Sequence, residues 1–396
     1  MTAQVSSDKR SAVSRLWNDK ESRSVMIQVI TIGALFALFF YLGVNAYLNL
    51  KAIGKDLSFE FLWQPASYDI NQTLIEYTSR STHFRAMIVG LLNTLLVAVA
   101  GIMLATILGF IVGVLRLTKN WLVNRIAYCY VEALRNVPLL LWILLIHGVV
   151  VGTLPAVRDA LGLGDIFFLS NRGLYAPSAT FEPLFLATVI AFIAGIVFSI
   201  WFKRRAKKIQ EETGRILPVL WTVLAAILLF PIVVFLVTGL PVQWSIPELK
   251  GFNFAGGFSI KPEFLALWLA LSIYTSAFIA EIVRSGILAV AHGQTEAAGA
   301  LGLRTNRTLQ LIVVPQALRV IVPPLTSQYL NLTKNSSLAI AIGYMDIVAT
   351  IGGISLNQTG REMECMALVL IIYLSFSLSI SMFMNWYNKR IKLVER

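Results

Sequence analysis

The sequence predicts an all-α polytopic membrane protein, and three observations carry that expectation. Of 396 residues, 57% are hydrophobic and only 14% charged, with a mean hydropathy of +0.73; a soluble core of that composition would leave large apolar patches exposed. Apolar runs long enough to cross a bilayer, which takes about 20 residues of helix, recur along the chain. Finally, Lys and Arg are concentrated in alternate connecting segments, as expected of loops sorted to one side of a membrane. The net charge of +12 is explained by that sorting. It does not point to nucleic acid, because no soluble basic domain or recognition motif accompanies it.

Eight stretches satisfy the length requirement: 25–50, 86–115, 126–151, 184–202, 216–240, 264–290, 318–349 and 366–386. The first is too long for the core of a signal peptide and lacks a cleavage site, so it is read as a retained span. With a cytoplasmic N-terminus, the inside segments are 1–24, the turn after Leu115, the run KRRAKKIQEETGR from Lys203, the loop after Val290 and the tail at 389–396. These hold 21 Lys or Arg, against 9 in the opposite loops. Both termini are therefore expected in the cytoplasm. Cys129 and Cys365 are the only cysteines, too few and too deep in apolar runs to suggest a disulfide framework.

The most informative stretch is polar and lies between two apolar runs: HGQTEAAGALGLRTNRTLQLIVVP, from His292 to Pro315. Thr295 is placed to cap a short helix, with Glu296 in its first turn, where an acid suits the positive end of the helix dipole. Ala297 and Ala298 favour helix and let another surface approach closely. Gly302 supplies the left-handed residue that ends many helices, and a second helical pattern begins near Thr305 and Asn306. The expectation is a helix-turn-helix knob.

Glu296-Ala297-Ala298 is followed by three residues, Gly302, nine residues, Ile312, one residue, Val314 and Pro315. This spacing closely resembles the EAA loop of ATP-binding-cassette importer permeases, with Val314 where the family usually has Leu. GLLNTLLVAVAGIML from Gly90, YVEALRNVPLLLWIL from Tyr130, and the region 274–341 are similar to the five-helix core of polar amino acid (His/Gln-type) permeases. The long, eight-span form is most similar to the large permease subunit of general L-amino acid uptake systems in Gram-negative bacteria.

The resemblance divides the chain into a cytoplasmic N-terminus (1–24), an extra helix (25–50), the first part of the core (86–151), an insert with two more helices (152–263), the second part of the core (264–388) with its EAA loop at 292–316, and the tail. It implies a bacterial inner-membrane location. It also implies a second homologous permease subunit, a pair of ABC ATPases that bind the EAA loops, and a periplasmic amino-acid-binding protein. ATP and magnesium would sit on the ATPase, with no cofactor on this chain. Thr295, Glu296, Ala297, Ala298, Gly302, Ile312 and Pro315 would couple the permease to the ATPase.

Ionisable residues within membrane spans are costly and are usually paired or functional. Glu132 and Arg135 are three apart in one span, Glu281 and Arg284 three apart in another. Two arrangements fit: separate pairs within each helix, or a four-charge cluster in which each acid meets the other helix's base at equal depth. In the seventh span, Pro323-Pro324 is expected to break the helix, placing Lys334 about 15 Å beyond the break, near mid-membrane. Gln328, Asn331, Thr333, Lys334, Asn335 and Ser336 then offer hydrogen bonds to a zwitterionic solute, or stitch helices together. Relatives that prefer cationic amino acids resemble this stretch but carry Asp where this chain has Asn335, which points to broad or neutral specificity. Thr94 matches a recurrent family threonine and joins the substrate-path candidates. Gly109 and Gly113 form a small-residue pair suited to close helix packing.

No phosphate loop of the form GxxxxGK followed by Ser or Thr occurs, so ATP hydrolysis is expected on a partner and not on this chain. His83, His147 and His292 have no metal-ligand spacing. An ion-coupled secondary transporter using Glu132, Glu281 or Lys334 is the competing reading; the complete EAA spacing favours the ATP-driven machine. The same machine carrying another small polar solute is a further alternative.

Overall fold

The computed structural model describes residues 20–52, 54, 56–164 and 166–391; residues 1–19 and 392–396, within the expected cytoplasmic ends, lie outside the described residues. Contacts divide the chain into two compact units, Met1–Phe61 and Leu62–Arg396. The first contains helix α1 (Lys20–Ala52), apolar all round, as expected of a membrane span.

The second unit is built around helix α7 (Pro262–Leu288), whose buried residues, from Phe264 through Leu267, Leu271 and Ile279 to Val283, recur on several sides of the helix. Around it pack α2 (His83–Leu115), α4 (Leu139–Thr153), α9 (Val314–Asn335) and α10 (Glu362–Ile391). Val97, Ile143, Leu267, Leu271, Ile321, Leu332 and Met384 belong to one core. Close contact between α2 and α7 depends on missing side chains. A Cβ on Gly109 would lie 2.5 Å from Ile279 Cβ, and one on Gly113 would lie 2.7 Å from Val283 Cβ. The small-residue pair thus serves packing, as expected.

Among the described residues, seven helices are long and apolar enough to span a membrane, or eight if one bent pair counts as a span. That pair corrects the expectation of a single helix at 126–151. Helix α3 (Trp121–Arg135) and α4 are bent by 106°, separated by Asn136-Val137-Pro138. Pro138 has no N–H to donate, and it disfavours helical backbone at Val137. The expected break at Pro323-Pro324 does not occur: α9 runs through both prolines. Its regular turns end at Asn335, pass into a 3₁₀ stretch (Ser336–Ile342), and stop at Gly343 with φ of 78°.

The two inserted helices, α5 (Phe185–Thr213) and α6 (Val219–Val237, with a π turn at Ala225–Leu229), form a hairpin. Gly195 of α5 approaches the Ala226 carbonyl so closely that a Cβ would collide with it. The hairpin's flanks are strands, which the all-helical expectation did not include. β4 (Ser178–Phe181) pairs antiparallel with β5 (Val242–Ser245), bringing the chain back to where it left. β1 (Leu161–Leu163), β2 (Phe167–Ser170), β3 (Gly173–Ala176) and β8 (Phe258–Ile260) form a four-stranded sheet. β6 (Glu248–Lys250) and β7 (Asn253–Ala255) form a hairpin. These strands follow α4 and lead into α7, so they mark one end of the bundle, the sheet end.

Candidate functional site

The opposite end carries the knob. Helix α8 (His292–Ala300) follows α7 after a short turn, and Ala298 is its one buried residue. It closes with a nested pair of bonds: Leu303 N–H donates to the Ala298 carbonyl at 3.0 Å and Gly302 N–H to the Gly299 carbonyl at 2.9 Å. This arrangement requires a left-handed residue, and Gly302 has φ of +74° with nothing within 4 Å of a Cβ placed there. The expected role of Thr295 is corrected. The helix begins at His292, one turn earlier, after Ala291, which has no capping side chain. Thr295 therefore lies inside the helix, its hydroxyl donating to the His292 carbonyl at 2.7 Å. Glu296 lies beyond the first turn, with Oε1 3.0 Å from His292 Nδ1.

Glu296, Ala297, Gly302 and Leu301, the last 81% exposed, present an open surface. Beyond them, Thr305–Thr308 starts a second helical segment, Ile312 lies in a π turn (Leu309–Val313), and Pro315 occupies the first turn of α9. Gln316 Nε2 reaches Gln294 Oε1 at 3.4 Å, tying α9 back to α8.

Helix α9 continues from the knob into the bundle with two unlike faces. Ala317, Ile321, Leu325 and Leu332 are buried against the core. Val320, Pro324, Ser327, Asn331 and Lys334, spaced three or four apart, share an exposed face. Leu332 lies against Gly101, where a Cβ would be 3.1 Å from Leu332 Cδ2, and Gly101 is a little past halfway along the 33 residues of α2. The polar stripe therefore reaches the middle of the bundle's length.

Of the expected path residues, the structure brings Asn331 and Lys334 together on this face, with Gln328 and Asn335 half-buried beside it. Ser336 and Thr94 lie elsewhere. Ser336 is buried, its hydroxyl donating to the Thr333 carbonyl at 2.7 Å and lying 3.3 Å from the Tyr373 hydroxyl. Thr94 is also fully buried; it donates to the Gly90 carbonyl at 2.9 Å and accepts the Ile347 N–H at 3.1 Å. It anchors the returning segment after Gly343 to α2.

The charges do not form the four-membered cluster. Glu281 bonds Arg284 at 2.6 Å and also pairs with Arg116, the residue that caps α2. Glu132 Oε2 accepts from Asn136 Nδ2 at 3.2 Å, and the Arg135 guanidinium lies 5.4 Å from the centre of the Phe278 ring. Among the described residues no ion pair joins Glu132 to Arg284. The bend after Arg135 removes the straight antiparallel geometry on which equal depth depended.

Two buried side chains escaped the sequence reading. Asn93 Nδ2 donates to the Gln72 and Met345 carbonyls, both at 2.9 Å. Asp346 is completely buried, Oδ1 accepting the Ala349 N–H at 2.8 Å and Oδ2 the Tyr373 hydroxyl at 3.2 Å. A lone acid between Met345 and Ile347 was the available signal. Among the described residues no cluster of His, Cys, Asp and Glu could hold a metal ion.

Residues 187–393 match the family described as binding-protein-dependent transport system inner membrane component. The chain is 48% identical over 378 residues to the general L-amino acid transport system permease protein AapQ of Rhizobium johnstonii, covering 96% of this chain and 94% of that protein. It is 49% identical over 416 residues to the glutamate/glutamine/aspartate/asparagine transport system permease protein BztB of Rhodobacter capsulatus, covering 97% of each. A putative amino-acid ABC transporter permease protein of Escherichia coli, YhdX, is 46% identical over 375 residues, or 94% of this chain and 95% of that one.

Proposed function

This chain belongs to the family of binding-protein-dependent transport system inner membrane components, and from that premise we propose that it is one of two unlike permease subunits of an ATP-driven importer of L-amino acids with broad specificity. It is a multi-pass inner membrane protein and a permease subunit of an ABC transporter, not itself an enzyme. In the proposed assembly a pair of ATPases holds ATP and magnesium, and a periplasmic binding protein delivers the solute. The knob end and both termini face the cytoplasm, and the sheet end faces the periplasm.

The observation that carries this reading is the exposed helix α8 with its glycine-stopped end, standing between α7 and α9. A short helix whose outward residues include Glu296 and Ala297, followed by the exposed Leu301, suits the groove of a partner. Because α8 is joined to α7 by a short turn and hydrogen-bonded to α9, displacing it tilts both helices together. ATP-driven closure of the ATPases would thereby open the path outward and then inward. The stripe Ser327, Asn331 and Lys334, flanked by Gln328 and Asn335, would line that path against the second permease. Polar groups at mid-depth replace part of the hydration that a zwitterion loses in the membrane. Glu281, held by Arg116 and Arg284, would fix α2 to α7 near the knob.

The test is uptake of radiolabelled glutamate, leucine and arginine in cells with and without this chain, repeated with Gly302→Trp. Expected is loss of all three uptakes, with the variant retained in the membrane but no longer co-purifying an ATPase. Uptake that survives in the variant and collapses when the proton gradient is dissipated would overturn the reading in favour of a secondary transporter.

A further inference from the structure

At the sheet end, the insert and the core meet at an open pocket of about 360 Å³, at the small end of the range for ligand sites. Its lining is unusually polar for this protein: Asn71, His147, Asn171, Arg172, Lys261 and Glu263 all face it. They come from four parts of the fold. Asn71 is on the loop before α2, His147 on α4, Asn171 and Arg172 on the β2–β3 turn, and Lys261 and Glu263 at the start of α7.

The cavity is braced. Gly173, with φ of +120°, makes the β2–β3 turn and passes so close to the Ile260 carbonyl that a Cβ would collide with it. Arg172 Nη1 donates to the Phe252 carbonyl at 3.3 Å. Tyr175, 3% exposed, donates its hydroxyl to Asn253 Oδ1 at 2.7 Å, and burial pushes its phenol above the ordinary range. Lys261 N–H donates to Gln72 Oε1 at 3.3 Å, which joins the Asn71 loop to the start of α7.

Against this bracing, none of the Arg172, Lys261 and Glu263 side chains takes part in an ion pair among the described residues. Two cations and one carboxylate thus line one pocket with no ion pair between them. The complementary ligand has two carboxylates and one ammonium. We infer that this cavity is a binding site for a free acidic α-amino acid, with Arg172 and Lys261 taking the carboxylates and Glu263 the ammonium group. The arginine fork and the lysine point charge suit carboxylates, and the amides of Asn71 and Asn171 supply further hydrogen bonds. The site is separate from the α9 stripe; it lies where the insert meets the mouth of the core, and it gives the inserted strands a chemical role.

The inference rests on the amino acid importer reading, and its test is separable from cellular uptake. The full transporter, this chain with its partner permease and ATPase, is placed in lipid nanodiscs without binding protein. Equilibrium binding of L-glutamate, glutarate and L-leucine is then measured. Expected is preference for glutamate over leucine by about tenfold or more, the equivalent of roughly 1.4 kcal/mol. Arg172→Met and Lys261→Met each weaken glutamate about tenfold, while Arg172→Lys restores part of the loss. Glu263→Gln weakens glutamate but not glutarate, which has no ammonium group. Co-purification with the ATPase shows that each variant is assembled. No glutamate binding to the unaltered transporter, binding indifferent to Arg172 and Lys261, or equal loss of glutamate and glutarate in Glu263→Gln overturns the site. Such a result with amino acid uptake intact leaves the importer reading standing.

Discussion

Gly302 is the position at which backbone conformation and partner docking can be told apart. Its φ of +74° is in the left-handed region, and a Cβ there meets nothing within 4 Å. Replacement therefore causes no collision within this chain, and the whole intramolecular effect is conformational. Left-handed backbone costs an ordinary L-residue about 1–2 kcal/mol, whereas Asn enters it more readily by bonding locally. Gly302→Ala should accordingly lower the ratio of correctly closed to opened α8 about 5- to 30-fold. Gly302→Asn, although larger, should do less damage. The assay is ATPase co-purification and amino acid uptake at matched membrane levels. If conformation governs, the order of activity is Gly, Asn, Ala, Val. If Ala outperforms Asn, side-chain bulk against the ATPase governs instead, and the argument from the backbone is refuted.

The remaining expectations address packing, charge and specificity. Gly109→Leu, which drives a side chain into Ile279 and the Ser276 carbonyl, should cost about 1–3 kcal/mol or more from overpacking and lower the thermal transition of the purified complex. Thr94→Val leaves the buried Ile347 N–H without its acceptor, at about 1–3 kcal/mol; uptake should fall for all amino acids alike, whereas a selective loss would mark Thr94 as a substrate contact. Glu281→Gln removes the acid shared by Arg116 and Arg284 and should cost roughly 1.5–3 kcal/mol. In a charge-swap assay, Glu281→Arg with Arg116→Glu should recover transport that the paired reversal of Glu132 and Arg284 does not. Asn335→Asp should shift uptake towards lysine and arginine by adding a negative charge beside the α9 stripe, and an unchanged competition profile would count against substrate contact there.

Much of the architecture was legible in the sequence because a bilayer imposes a length and composition on each span, and those can be read locally. The runs at 86–115, 184–202 and 264–290 became α2, α5 and α7 for that reason. The glycine stop of α8 was equally local: a polar helix followed by Gly302 specifies its own end. What escaped depended on competition between distant parts of the chain. Pro138 bent its helix, whereas Pro323 and Pro324 did not, although each proline removes an N–H; sequence spacing does not say whether the surrounding packing keeps a helix straight. Thr94 was recognisable as distinctive, but only the return of Ile347 to α2 made it an anchor. The Glu132–Arg284 pairing failed because depth arithmetic assumes straight helices and Glu281 holds Arg284 within its own helix, while Arg116, outside the predicted spans, takes the place beside Glu281 expected for Arg135. The sheet-end pocket was invisible in sequence because its polar residues lie on the loop before α2, on α4, on the β2–β3 turn and at the start of α7. Hydropathy determines which segments enter a membrane; tertiary contacts alone determine which side chains meet once they are there.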